Sequence, residues 1–289
     1  MRDRSRIKVS INKLTTQKRA QILGMMVEGM ALRAISRLTG ASKNTIAKLL
    51  VDAGKACSEY QDHALRGLGS KRLQLDEIWS FVSSKERNVP QEMKKGMGRD
   101  DIWTWTAIDA DSKLIASWMV GDRSGETACI FVCDLAKRLA NRVQITTDGH
   151  RAYVEAVEAG FGADVDYAQL GQSDEGQRRY SPPQIIGTET HCCTGNPDPE
   201  HISTSFAERS NLSIRMGLRR FTRLTNAFSK KVENYVHALS IYFMHYNFVR
   251  LHQTLRTTPA QAAGVTDKLW ELTDIVRMVD EWEAAQKAA

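Results

Sequence analysis

The run Lys71-Arg-Leu-Gln-Leu-Asp76-Glu77-Ile-Trp-Ser-Phe-Val82 constrains the fold more than any other stretch. Its Leu, Ile, Trp, Phe and Val residues describe a strand bound for a core, yet Asp76 sits in the middle of it. A carboxylate taken out of water is costly unless it is paired or binds a cation. The chain must therefore bring Asp76 to an edge where other polar groups meet it.

Two further acids sit where such an edge is built. Arg142-Val-Gln-Ile-Thr-Thr-Asp148-Gly-His-Arg-Ala-Tyr153 reads as a short strand stopping at Asp148 and turning into a helix. The ends of strands in α/β sheets are where sites usually form. Residues 205–220 read as a helix in which Glu208, Asn211, Arg215 and Arg219 recur at i, i+3, i+7 and i+11, one face. Phe206, Leu212 and Met216 are expected to pack that helix on a core. Singly, each acid has an ordinary explanation: a strand acid, a helix cap, a surface carboxylate. Glu77 adjoins Asp76 but is expected on the opposite face of the strand, and Asp109 and Asp111 fit turn chemistry.

Around these acids the elements alternate. Ile102–Asp109 and Lys113–Gly121 read as a hairpin about Ala110-Asp111-Ser112. A helix follows that packs through Ala128, Phe131, Val132, Leu135 and Leu139. After the Asp148 strand come a helix, a strand over 163–171 and a Gly- and Pro-containing loop over about 171–203. The order predicts a ribonuclease H-like mixed sheet with helices on both faces.

The N-terminal segment differs in kind. Three short helical patterns end at Met30, Gly40 and about Gly54. Ser42 is placed to cap the third, whose Ile46, Leu49 and Leu50 face inward. Ser36, Gly40, Ile46 and Leu49 have the offsets of a helix-turn-helix. Lys43, Asn44, Thr45 and Lys48 would then face outward toward phosphates and base edges. A generic three-helix bundle is the plainer alternative. The expected division is residues 1–68 as a helix-turn-helix domain, 69–260 as the sheet domain and 261–289 as a C-terminal helix, with Ser58–Ser70 as the passage between the first two.

Charge is segregated along the chain. Residues 1–72 hold 15 Lys and Arg against 5 Asp and Glu, residues 73–204 hold 13 against 21, and residues 205–256 hold 9 against 2. Basic zones flanking an acidic middle suit a polyanion gripped around a carboxylate centre. No apolar run approaches the ~18–20 residues of a membrane span, and Met1–Ser10 lacks a signal-peptide apolar region, so a cytoplasmic location with no membrane partner is expected. The five cysteines include no Cys-x-x-Cys pair, and reduced thiols are expected rather than zinc on His191, Cys192, Cys193 and His201.

Three carboxylates from separate elements suit hard divalent cations, Mg²⁺ with Mn²⁺ as a substitute. The pattern LDEIWSFV, ITTDGHRAY, AERSNLSIR with RRFTRLTNAFSKK, and HYNFVRLHQTLRTTPA resembles DDE-type transposases, most of all the insertion-sequence-one family, over about residues 71–260. The resemblance implies two-metal phosphoryl transfer on DNA by Asp76, Asp148 and Glu208, with Arg209, Asn211, Arg215 and Arg219 against backbone phosphates. It also implies cutting and joining of an element's double-stranded DNA ends, target DNA, and a homo-oligomer. Many members carry a four-cysteine zinc module, which has no counterpart here. A catalytically silent DNA-binding regulator of transposase descent is the alternative, and a nuclease without strand transfer would share the site.

Overall fold

The computed structural model describes residues 13–84, 101–175, 184–222 and 227–288, with no side chains described over 172–186. The expected basic loop at 85–100 and Thr225-Asn226 of the TNAFSK segment lie outside the described residues.

Six strands form one mixed sheet in the order β3-β2-β1-β4-β5-β6. They are β1 Arg72–Phe81, β2 Asp101–Asp109, β3 Ile115–Gly121, β4 Val143–Asp148, β5 Val165–Glu175 and β6 Gln184–Thr194. Strands β1, β4 and β5 run parallel, while β2, β3 and β6 pair antiparallel to their neighbours. The β2–β3 turn is closed as its acids predict: Asp109 Oδ1 accepts the backbone N–H of Asp111 (2.7 Å) and of Ser112 (3.1 Å).

Helices cover both faces. On one face, α4 Gly125–Ala136 and α5 Ala152–Phe161 pack Phe131 and Tyr153 against Trp105. On the other, α6 Ser205–Gly217 and α7 Val232–Met244 lie against the sheet. There Tyr235 bonds the Thr104 hydroxyl at 2.8 Å and Phe243 packs on Trp118.

The first two helices are α1 Thr16–Val27 and α2 Leu32–Thr39, and Gly40 turns the chain with φ 72°. Ser36 Oγ donates to Ala41 O across that turn, and Ser42 caps α3 by accepting the Thr45 N–H. Helix α3 spans Lys43–Ala64, ten residues past the expected stop, so the passage after Ser58 is helix. Gly54 is not a terminator. It is where α3 crosses α7: a Cβ there would lie 2.4 Å from that of His237. Ser240 Oγ donates to Gly54 O, and Gln61 Nε2 donates to Ser240 O, locking the crossing.

After α7 the chain continues directly into a π-helical turn at His245–Val249. The short α8 Pro259–Ala262 and then α9 Leu272–Ala288 follow. Helix α9 returns to the N-terminal helices. Its Asp280 and Glu283 pair with Lys13 and Arg19, and Trp282 Nε1 donates to Glu59 at 2.7 Å. One continuous hydrophobic cluster joins Ile22 and Leu50 through the sheet to Ile275 and Val279. Among the described residues, no helix is long and apolar enough to cross a membrane.

Candidate active site

The sheet itself places the first two acids side by side. Strands β1 and β4 pair in parallel up to Leu75 with Thr147, and the next residue on each is Asp76 and Asp148. The β1–β4 ladder stops there, while β1 runs on beside β2 and Asp148 still pairs with Leu170 of β5, so the two carboxyls stand where β1 and β4 part. Asp148 Oδ1 accepts the His150 N–H at 3.0 Å, which tightens the turn into α5.

The third element is positioned by β1 as well. Gln74 lies two residues before Asp76, hence on the same face, and is buried. Its Oε1 accepts the N–H groups of Phe206 (2.8 Å) and Ala207 (3.1 Å), satisfying two orphan donors at the start of α6. One turn on, Thr204 Oγ1 donates to Glu208 Oε1 at 2.8 Å. Asn211 Nδ2 donates to Asp76 Oδ2 at 2.7 Å. Asp76, Asp148 and Glu208 thus line one cavity of about 410 Å³, with Gly149, Leu170, Gly171 and Thr204.

The tightest group is a different trio. Asp76, Glu77 and Asp148 each offer an oxygen within 4.8 Å of the others. Glu77 does lie on the far face, against α5, as strand alternation requires. Consecutive Cα atoms are only about 3.8 Å apart, however, and beyond Leu75 β1 has β2 but no longer β4 beside it, so both neighbours can turn toward Asp148. Asp76 folds back to accept the Glu77 N–H at 2.8 Å. Glu77 is buried and engaged on both oxygens: Oε1 by Arg123 Nε (2.8 Å) and Oε2 by the Tyr153 hydroxyl (3.0 Å). Sequence reading set Glu77 aside and gave Arg123, Tyr153, Gln74 and Thr204 no role at the site. Of these, Gln74 left a trace, as a second polar residue in phase with Asp76.

Crowding shows in the protonation. Burial, then the charges of Glu77, Asp148 and Glu208, push the Asp76 carboxyl up to about 8. Burial and Asp148 also push Glu77 up, with Arg123 and Tyr153 opposing. Buried carboxyls this close cannot all ionise without a counter-charge between them. The Oδ1 of Asn211 is buried beside it with no partner among the described residues. Oxygen donors of this number and type fit Mg²⁺ or Mn²⁺.

The expected polar face of α6 is only partly there. Arg209 is exposed beside Glu208, and Arg215 turns toward the buried Tyr235, on which its charge acts. Arg219 is not on the face, because α6 ends at Gly217 and Arg219 begins a separate 3-10 turn. The backbone turns extended at Leu218, and packing requires the glycine before it: a Cβ at Gly217 would sit 2.6 Å from the Tyr242 ring. Phe206, Leu212 and Met216 do not pack on a core either, being 37%, 47% and 73% exposed. The helix is seated instead by the small face of Ala207, Ser210 and Ile214. At the other end of the chain, Lys43, Asn44, Thr45 and Lys48 are exposed on the first turns of α3. Lys48 pairs with Asp52, and Asn44, Thr45 and Lys48 line a cleft whose far wall is α9.

No protein-family model matches the chain, and no curated relative matches it. Among solved structures it is similar to the piggyBac transposase synaptic complex with hairpin DNA, with 10% identity and a TM-score of 0.42 over 100% of this chain and 76% of that one. It is similar also to the Mos1 strand transfer complex, with 10% identity and a TM-score of 0.33 over 98% and 79%. A Mos1 transposase paired-end complex with the left transposon end overlaps 54% of this chain and 59% of its own, with a TM-score of 0.20 and 11% identity. Overlaps this loose decide neither fold nor function, which rest on the geometry above.

Proposed function

We propose that the chain is a DNA transposase of the DDE class, resembling the insertion-sequence-one family, that cleaves and joins DNA with divalent metal. The observation that carries the reading is the convergence of Asp76, Asp148 and Glu208, from the middle of β1, the end of the adjacent β4 and a helix, on one open cavity. The strand order through β5 is that of the ribonuclease H-like fold expected from the sequence, with β6 added at the edge.

Asp76 and Asp148 would hold the cation, with Glu208 completing the set. Bound there, Mg²⁺ supplies an activated water or 3′-hydroxyl and stabilises the leaving oxygen in an in-line displacement. The chain's own work is positioning. Asn211 orients the Asp76 carboxyl, Gln74 anchors the start of α6, and Thr204 sets the rotamer of Glu208. Arg209, on the exposed side of Glu208, is placed to meet a backbone phosphate. Lys43, Asn44, Thr45 and Lys48 at the start of α3 form the proposed groove-reading surface. Synapsis of two DNA ends would call for a homo-oligomer.

The test is Mn²⁺-dependent nicking and strand transfer of a pre-cut duplex, comparing wild type with Asp148→Asn. Loss of both products with unchanged DNA affinity supports the assignment. Nicking without any joined product would make the chain a nuclease instead. Undiminished cleavage by Asp148→Asn would remove Asp148 from the chemistry.

A further inference from the structure

Arg123 occupies a place that its partner alone does not explain. It leaves β3 just before α4, and its guanidinium caps the buried Glu77, Nη2 lying 2.7 Å from Oε1. Glu77 keeps 1% of its side chain exposed, yet Arg123 keeps 43%. A guanidinium has five N–H donors in a fixed fork. Nε and Nη2 both face Glu77, which leaves Nη1 and the outer edge of Nη2, and the Glu77 carboxylate that they grip lies within 4.8 Å of the Asp76 and Asp148 oxygens.

The backbone around Arg123 is rigid. Trp105 Nε1 donates to Asp122 O at 3.0 Å, and Asp122 Oδ1 accepts Ser124 Oγ and Thr127 Oγ1, each at 2.5 Å. Ser124 caps α4 by accepting the Thr127 N–H. Gly121 lets that cap approach: a Cβ there would lie 2.6 Å from Thr127 Cγ2. The Trp103 ring lies under the guanidinium, 4.7 Å from centroid to Cζ. An arginine held by a carboxylate, an aromatic face and a braced loop has already given up the side-chain freedom that ligand binding would otherwise cost.

We infer that Arg123 is a phosphodiester-binding residue on the α4/α5 side of the site, opposite Arg209, gripping the DNA backbone beside the bond that is cut. The assignment rests on the DNA reading above and adds a residue to it. Arginine forks match phosphate oxygens bidentately, and the partner chemistry is a nucleic-acid backbone rather than a base edge.

Two variants isolate this role: Glu77→Gln, and Glu77→Gln with Arg123→Gln. Neither retains the ion pair, so they differ only in the arginine. Binding of a fluorescein-labelled duplex of arbitrary sequence, about 30 base pairs, would be measured in Ca²⁺ across a NaCl series. With matched melting temperatures, the double variant should bind several-fold more weakly, its log Kd against log salt slope smaller by about one. Equal slopes and affinities would reduce Arg123 to the counter-charge of Glu77. Failure of wild type to bind the duplex would overturn the DNA reading itself, and this residue's role with it.

Discussion

Replacing Asp76 by Asn should stabilise the metal-free protein while ending its response to metal. The carboxyl is pushed up to about 8 in the fold from an ordinary 3.8. At pH 7 a group neutral in the fold and ionised in the unfolded chain therefore costs about 1.4 kcal/mol for each pH unit above 3.8, roughly 4 kcal/mol. Asn removes that cost and keeps the contacts. Its oxygen can accept the Glu77 N–H, and its amide can donate to Asn211 Oδ1 once the Asn211 amide turns over, which gives that buried oxygen the partner it lacks. Allowing for imperfect fit, a gain of about 2–4 kcal/mol remains, about 3–6 °C in Tm for a chain of this length. Thermal melts at pH 7 in EDTA would show it. In Mn²⁺ the gap should narrow or close, wild type alone gaining about 2.7 kcal/mol at a hundredfold excess over its Kd. A lower Tm for Asp76→Asn in EDTA would refute the crowding argument. An intact Mn²⁺ gain in the variant would show that Asp76 holds no cation.

The same crowding predicts a pH dependence: between about pH 4 and 8 the folded state binds more protons than the unfolded chain, so metal-free stability should fall as pH rises through that window. Denaturant melts in EDTA would reveal it, and the slope should shrink in Asp76→Asn, leaving the part that Glu77 contributes. Gln74→Ala strips the start of α6 of its acceptor and should cost about 1–2 kcal/mol. Cleavage should drop further than DNA affinity does, since Glu208 loses its anchor; equal loss of both would make Gln74 merely structural. Lys43→Ala should lower the salt slope of DNA binding by about one, whereas Lys48→Ala should have a smaller effect because Lys48 is already paired with Asp52. An unchanged slope in Lys43→Ala would take the start of α3 out of the interface.

Local signals in the chain were sufficient for the elements and for the places where acids fall on them. Period-two alternation defines β1, β2 and β3, an apolar run that stops at Asp148 defines β4, and the caps at Ser42 and Ser124 mark helix starts. What local signals lack is any record of packing partners. The 171–203 segment reads as loop, yet 184–194 forms β6 on β5, because an edge strand open to solvent needs no apolar alternation. Gly54 reads as a helix end and is a helix crossing; Gly217 is a glycine because Tyr242 lies against it. Phe206, Leu212 and Met216 read as a core stripe and are exposed, the seat being Ala207, Ser210 and Ile214. Sequence alone determined that Asp76, Asp148 and Glu208 sit on a strand, a strand end and a helix. Only the tertiary structure decided that Glu77 joins Asp76 and Asp148, because β1 and β4 part after Leu75 and Thr147 and leave a gap that side chains of both neighbours on β1 can reach.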